Sequence, residues 1–336
     1  MINCGQKEAI IYEDKVYGRV LIDEPVILDL INSYELQRLK EIDQAGYFEP
    51  YHPGSKHTRF EHSVGVYLLL WKFGAPIGEQ IAGLIHDVSH SAFSHAVDYV
   101  LSEGSEKEQS HQDDYFAEYV LNSGIPGILE KYGFDAKYII DEKNFPLLEN
   151  QLPDLCADRI DYSLRGFLAY KVAGLEKIGN ILEDLTVQDK KWVFDDFDSA
   201  YGYAKLFNIL NKNYYSGITT AVMFRRLGDY LKYALDKGYI NKADLYTTDN
   251  RVIGKINGNL PADAELAALW KNLNNSQGYE NNPDDYDAEV YCKSRVIDPL
   301  CLHDGEMKKV SDIELGWKEE IKQESEPKRY LIKFFD

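Results

Sequence analysis

Seven of the eight histidines in this 336-residue chain fall between positions 52 and 111. They are His52, His57, His62, His86, His90, His95 and His111. Five of them lie in two pieces, HTRFEHS (residues 57–63) and GLIHDVSHSAFSH (residues 83–95). His86 and Asp87 are adjacent and close an apolar run, IAGLIHD. An imidazole beside a carboxylate at a helix end, with more imidazoles near, is donor chemistry for a borderline divalent ion. A hydrolytic centre of this kind needs neutral imidazoles, an ionised carboxylate, and positions left open for water and substrate. The candidate ligands are His62, His86, Asp87 and Asp158. They come from different predicted helices, which is how helical bundles build metal sites in their interiors.

Other chemistry is weaker. His86 and His90 have the i, i+4 spacing of zinc-protease helices, but Asp87 stands where H-E-x-x-H has glutamate, and Ser91–Ser94 reads as a turn. His52 and His57 sit in a loop of Tyr, His, Pro and Gly and are assigned to loop packing. Asp154 reads as a helix cap. In QLPDLCADRIDYSLR (residues 151–165), Asp158, Tyr162 and Arg165 share one helix face, with Asp154 and Asp161 at its border. Arg165 beside Asp161 is assigned to an ion pair.

The elements that must position these groups read as mainly helical. Residues 8–22 form two β-prone runs around Glu13-Asp14-Lys15 and predict a hairpin. Residues 25–46 predict two short helices broken near Asn32-Ser33 and ending at Gly46. Ser63 is placed as the cap of a helix over GVYLLLWKFG, Pro76 opens a helix running to His86, and a third starts near Ser94. HQDDYFAEYVLNSG is a helix closed by Gly124, and Pro153 sits in the first turn of the Asp158 helix. KKWVF (190–194) predicts a strand. Helices follow at 197–213, 218–237 and 262–273, then a loop, NNSQGYENNPDDYD. EVYCKSRVI and KRYLIKFF predict closing strands. The boundary is placed at 245: a helical core at about 20–245, and a small α+β part over 246–336.

Composition limits the partners. The formal net charge is −19, and the hydrophobic fraction of 44% with 25 tyrosines fits a folded chain with a large core. Such a field repels a nucleic-acid polymer or an anionic membrane, whereas a small anion stays possible where positive charge is concentrated. Cys4, Cys156, Cys292 and Cys301 form no C-x-x-C pair, which fits a reducing compartment. No basic-then-apolar leader and no run long enough for a bilayer is present, so a cytoplasmic location is expected.

QRLKEIDQAG, HTRFEHSVGVY, AGLIHDVSHSAFSH and ADRIDY, in this order and spacing, resemble the HD-domain metal-dependent phosphohydrolases, and within them the deoxynucleoside triphosphate triphosphohydrolase branch. The resemblance covers residues 12–180. It implies a mainly α fold, an HD-domain helical bundle over residues 1–245, and a divalent ion (Mn, Mg, Fe, Ni or Zn) on His62, His86, Asp87 and Asp158. It further implies His111 as the acid–base histidine oriented by Asp98, with His95 and His90 on the phosphate side. Gln44, Arg59, Arg159 and Tyr162 fall on positions that contact the nucleotide. A small-molecule nucleotide is the implied partner, and a homo-oligomer the implied assembly.

Two departures stand out. The branch has Asp after the position of Arg165, where it holds the sugar hydroxyl; this chain has Gly166, which leaves room there. The branch also carries a Tyr-x-His-Lys-like run about 50 residues further on, where this chain has Asn213-Tyr-Tyr-Ser-Gly-Ile218. The expected activity is hydrolysis of a nucleotide, foremost a nucleoside triphosphate, by water activated at a metal with help from His111 and Asp98. The alternatives are a phosphatase or phosphodiesterase for a smaller or cyclic nucleotide, and a nucleotide-binding regulator with weak turnover.

Overall fold

The computed structural model describes residues 9–101 and 111–335, with the side chains of 98, 101 and 111–114 excepted. The N-terminal hairpin pairs β1 (Ile10–Asp14) with β2 (Gly18–Ile22), Ile10 opposite Ile22. Its turn is closed by the Asp14 carboxylate, which accepts the backbone N–H groups of Val16 and Tyr17 at 2.8 and 3.0 Å. The following segment forms α1 (Pro25–Ile31) and α2 (Tyr34–Arg38), separated at Ser33, which caps α2 through Leu36 N–H. Helix does not continue to Gly46 as the sequence suggested. A 3₁₀ turn ends at Glu41, and Gly46 packs in a loop with φ +98°, where a Cβ would stand 3.1 Å from the Phe93 carbonyl.

Three helices carry the candidate ligands: α3 (Arg59–Lys72), α4 (Ile77–Ile85) and a third farther along the chain. Ser63 is not the cap of α3; it lies buried inside the helix. Thr58 caps it instead in a reciprocal box with Glu61, so the cap lies five residues earlier and the helix includes Arg59 and His62. Between α3 and α4, Gly83 allows close approach, since a Cβ there would lie 2.5 Å from Leu70 Cδ1. The chain then passes through α5 (Asp98–Leu101), α6 (His111–Leu121), α7 (Ile125–Lys131) and α8 (Ala136–Ile139) to α9 (Ala157–Ala169). Gly124 does follow α6, and it also starts α7, which the sequence reading lacked. Cys156 is the N-cap of α9. Pro153 therefore lies before the helix, and Asp154 is no cap: its carboxylate meets Lys309 at 2.6 Å.

Beyond α9 come α10 (Leu175–Glu183), β3 (Leu185–Gln188), β4 (Lys191–Phe194), α11 (Phe197–Leu210) and α12 (Ile218–Asp236). A π turn, Asn211–Tyr215, joins the last two. The remainder is α13 (Asp249–Asn257), α14 (Ala264–Leu273), β5 (Tyr279–Asn281), β6 (Ala288–Cys292), β7 (Leu300–His303), β8 (Glu306–Lys309), α15 (Val310–Ile313), α16 (Leu315–Glu324) and β9 (Lys328–Phe334). Strand β5 lies within the segment read as loop; it pairs with β9, which also pairs with β6. Strand β7 runs parallel to β4, Val193 opposite Leu300, so the last ninety residues share a sheet with the helical part. Two apolar cores result. One lies around α1, α3, α4, α9 and α11, and the other around α12, α14, β6 and β9. Each buried Leu, Ile or Phe in them contributes roughly 2 kcal/mol by removing its surface from water.

Cys156, Cys292 and Cys301 are buried and unpaired by disulfides, and Cys4 lies outside the described residues. Among the described residues no helix is long and apolar enough to cross a membrane.

Candidate metal centre

Four side chains from the ends and faces of α3, α4 and α9 converge. His62 Nε2 lies 3.2 Å from His86 Nε2 and 2.8 Å from Asp158 Oδ1. His86 Nε2 stands 3.5 Å from both Asp87 Oδ1 and Asp158 Oδ1, and Asp87 Oδ2 is 3.8 Å from His62 Nε2. Donors sharing one ion at bond lengths of about 2.1 Å are separated by roughly 3.0–3.4 Å, so this set has the spacing of a single-ion site. Borderline imidazoles with hard carboxylates suit Mn, Fe, Ni or Zn, and Mg less well.

A second row of contacts fixes three of the four donors. His62 Nδ1 donates to Asp161 Oδ2 at 2.7 Å, which leaves Nε2 for the centre. Asp161 in turn accepts the Tyr17 hydroxyl at 2.8 Å and Arg165 Nε at 2.7 Å, and Arg165 Nη2 reaches Asp14 at 2.9 Å. The N-terminal hairpin therefore buttresses the metal end. This network needs Gly65: a Cβ there would stand 1.9 Å from Arg165 Nη2 and 2.1 Å from Asp161 Oδ1. His86 Nδ1 donates to the Gly83 carbonyl at 2.7 Å. Asp87 Oδ2 is held by Arg59 Nη1 at 2.6 Å, and Arg38 Nη2 donates to the carbonyls of Val88 and His90, fixing the turn after α4. The face of α9 that the sequence drew as one thus divides. Asp158 and Tyr162 turn to the pocket, while Arg165 joins Asp161 in the ion pair assigned to it.

The field at the centre favours positive charge. Burial alone would lower the His86 pKa, but Asp87 and Asp158 raise it to about 10. His62 is also raised: its burial acts downward, and the carboxylates of Asp158, Asp161 and Asp87 outweigh it. Burial pushes Asp158 and Asp87 upward, yet the two imidazoles, and for Asp87 chiefly the Arg59 guanidinium, hold both well below the usual carboxylate range. A cation would take the place of those imidazole protons. His90 Nε2 is 3.3 Å from Asp87 Oδ1, and burial with the nearby Arg59 charge keeps it neutral. Its ring meets His95 edge-on at 5.2 Å.

The centre opens into a cavity of about 660 Å³. Gln44, Arg59, His90, His95, Arg159 and Tyr162 all line it, as do three of the four candidate ligands, His86, Asp87 and Asp158; His62 lies behind them, fully buried. The two arginines are engaged internally. Arg59 bonds Asp87, Ser94 Oγ and the Gln44 carbonyl, and Arg159 bonds Glu149 with the carbonyls of Asp154 and Asn150. Ser94 reaches Arg59 from a turn in which Phe93 and Ser94 have φ of 61° and 52°. Asp249, which accepts Phe93 N–H at 2.7 Å, helps hold that strained turn. Asp98 begins α5 and His111 begins α6, but their side chains lie outside those described. His57 lines the cavity as well, its pKa lowered by burial to about 4, and the His52 ring packs on Tyr214 at 5.1 Å.

Sequence reasoning missed the far wall. Phe48, Tyr170, Tyr214 and Tyr215 form it, with Tyr170 and Tyr214 stacked at 4.0 Å. Gly166 does not leave room. A Cβ there would meet Tyr215 Oη at 2.8 Å and Leu210 Cδ1 at 3.0 Å, so these side chains occupy the space. Tyr215 Oη and Gln44 Oε1 are buried without a hydrogen-bond partner, as polar atoms awaiting a ligand would be. The only signal for this wall was the run Asn213-Tyr-Tyr, noted as a departure.

The HD domain family model matches residues 59–166. The metal-dependent phosphohydrolase cns2 of Cordyceps militaris is 30% identical over 307 residues, 87% of this chain and 84% of that one. The deoxynucleoside triphosphate triphosphohydrolase SAMHD1 of Homo sapiens is 30% identical over 162 residues, 42% of this chain and 25% of that protein. The crystal structure of a phosphohydrolase from Bacteroides thetaiotaomicron shares the fold, with a TM-score of 0.74 at 19% identity over 98% of this chain and all of that one.

Proposed function

Because the chain belongs to the HD-domain metal-dependent phosphohydrolases, we propose that its cavity hydrolyses a nucleotide, foremost a nucleoside triphosphate. The protein is a hydrolase, and its cofactor is a divalent metal ion. The observation that carries the nucleotide reading is the composition of the cavity: donors for a metal at one end, an aromatic wall with unsatisfied polar atoms at the other. The named activity of SAMHD1, similar over 162 residues, supports the same substrate class.

His62, His86, Asp87 and Asp158 would hold the ion. Bound there, it would acidify a water and offset the charge of a phosphate. Asp161 and Arg59 keep His62 and Asp87 aimed inward. His90, kept neutral, and His95 line the same end and can donate to phosphate oxygens. His111 with Asp98 is assigned the proton transfers, on the strength of the sequence resemblance. Gln44 Oε1 and Tyr215 Oη offer hydrogen bonds to a sugar, and the tyrosine wall offers flat apolar surface to a base. Buried free thiols fit a reducing compartment, so a cytoplasmic location belongs to the same reading.

One observation favours a smaller phosphoester: Arg59 and Arg159 are bound to internal partners and leave little for a polyphosphate. A product-resolved assay over mono-, di-, tri- and cyclic nucleotides decides. Triphosphate turnover that chelation abolishes and a divalent ion restores is expected. A metal-loaded protein that turns over no nucleotide would overturn the proposal.

A further inference from the structure

Residues 245–249, which lead into α13, lie against two loops of the metal end. The Leu245 carbonyl accepts Ala92 N–H at 2.7 Å. The Thr247 carbonyl accepts Arg38 Nη1 at 2.9 Å, and Nη2 of the same guanidinium holds the carbonyls of Val88 and His90. The Tyr246 ring packs on Tyr115 of α6 at 4.9 Å. Asp249 is buried, and each of its carboxylate oxygens takes one backbone N–H: Oδ1 that of Phe93 at 2.7 Å, Oδ2 that of Asp43 at 2.9 Å. A carboxylate at the start of a helix ordinarily serves that helix's own N–H groups. Asp249 spends both oxygens on residues 156 and 206 positions away in the chain.

The two residues it holds give the carboxylate its use. Phe93 and Ser94 have φ of 61° and 52°, an uncommon conformation for residues that carry a side chain. Such a turn persists only where its surroundings hold it. Asp249 holds its start, at the Phe93 N–H. Ser94 Oγ holds its end, donating to the Asp43 carbonyl at 2.6 Å and accepting Arg59 Nε at 2.7 Å. Asp43 is thereby gripped twice, at its N–H by Asp249 and at its carbonyl by Ser94. Arg59 Nη1 then reaches Asp87 Oδ2 at 2.6 Å. A continuous chain of contacts runs from α13 to a candidate ligand, and Asp249, Asp43, Phe93, Ser94, Arg59 and Asp87 are all buried along it.

We infer that Asp249 is a positioning residue for the metal centre: by fixing the Phe93–Ser94 turn and the Asp43 backbone, it places the Ser94 hydroxyl that aims Arg59 at Asp87. This rests on the ligand set and not on the identity of the substrate. It gives the region after residue 245 a part in holding the ion, although that region supplies none of the four candidate ligands.

The test is titration of the metal-free 336-residue chain with Co²⁺, followed by visible absorption, beside denaturant unfolding of the same samples. Asp249→Asn keeps the shape of the side chain but turns an N–H donor toward one of the two N–H groups. Ser94→Ala leaves both bonds of Asp249 in place and removes only the link to Arg59. Co²⁺ affinity is expected to fall about tenfold in each variant, with the absorption of the bound ion shifted alike in both. The double variant should lose little more than either single one, since both cut the same chain. A merely structural Asp249 would lower the denaturant midpoint and leave the affinity and spectrum of the folded protein as they were. Unchanged Co²⁺ affinity in either single variant overturns the inference, as do losses that add in full in the double variant. If Asp249→Asn does not fold, Ser94→Ala decides, because the Ser94 hydroxyl is the proposed route to Arg59: a tenfold loss at an unfolding midpoint near the wild type's supports the inference, and an unchanged affinity overturns it. The ligand set fails separately. Co²⁺ bound as tightly by Asp87→Ala as by the wild type removes the ligand set and the inference with it. Binding that needs Asp87 but neither Asp249 nor Ser94 removes the inference alone.

Discussion

The two ends of the cavity are built differently. At the metal end three of the four donors are backed by a second partner: Asp161 behind His62, the Gly83 carbonyl behind His86, Arg59 behind Asp87. On the aromatic wall Tyr215 Oη is buried and bonded to nothing, as is Gln44 Oε1 in the same cavity. A site that holds an ion must be preorganised, because donors that drift lose affinity steeply. A site that receives a substrate leaves polar atoms unpaired until the substrate pairs them, at a cost in stability. The contrast predicts that mutations at the metal end change binding of the ion and everything after it, whereas mutations at the far end change only which substrate is taken.

The largest effect breaks the metal end itself. Replacing His86 and Asp87 with Ala should reduce bound metal and turnover to background, read by elemental analysis and phosphate release. Wild-type metal content in that variant would show the ion to lie elsewhere. Next comes His111→Ala, expected to keep the metal and cut turnover by roughly 10²–10⁴-fold, the usual contribution of a general acid or base. Loss of metal there would make His111 a ligand and move it to the other side of the comparison.

A smaller effect sharpens the role of the second row. Asp161→Asn retains a hydrogen bond to His62 but removes the charge that Arg165 and Tyr17 share. Metal affinity should fall about 10–100-fold with the ligand set intact. Gly65→Ala attacks the same network through packing, because its Cβ would overlap the Asp161–Arg165 pair. Breaking that buried pair should cost about 3 kcal/mol of stability, measurable as a lower denaturant midpoint. An unaffected metal affinity in both variants would show that the second row matters for folding only.

The same contrast explains what could be read in advance. The candidate metal end was legible because its residues come in short runs whose spacing has physical meaning: His86-Asp87 at a helix end, and Asp158 sharing an α9 face with Tyr162. The hairpin and most helices followed from periodicity. The hairpin's use was not visible, since the contacts of Tyr17 and Asp14 with Asp161 and Arg165 join residues about 150 apart in the chain. The caps misled where a better one lay nearby: Ser63 and Asp154 are good cap residues, but Thr58 with Glu61 makes two bonds and wins α3. The far wall was illegible for a deeper reason. Phe48, Tyr170 and the pair Tyr214-Tyr215 come from three separate places, and the π turn that supplies the pair has no sequence rule of its own.

The smallest change is also the one that separates substrate from structure most cleanly. Tyr215 Oη is buried with no partner, so the folded protein carries the cost of removing that hydroxyl from water. Tyr215→Phe deletes the cost and keeps the ring, with its edge-on packing against Tyr162 at 5.6 Å and its place over Gly166. The variant should be more stable than the wild type by about 1 kcal/mol, since an unsatisfied buried group is worth roughly 1–3 kcal/mol and some of it is relieved by relaxation. If the hydroxyl exists to meet the substrate, KM should rise several-fold while kcat and metal content hold, because the lost bond is made equally in ground and transition states. Gly166→Asp tests the other half of the arrangement. Its carboxylate cannot coexist with Tyr215 in place, so it should disrupt the wall alone and become tolerable only with a smaller residue at 215. A Tyr215→Phe protein that is no more stable and no weaker for substrate would mean that the hydroxyl finds a partner in water, and that the two ends of the cavity are less different than their contacts imply.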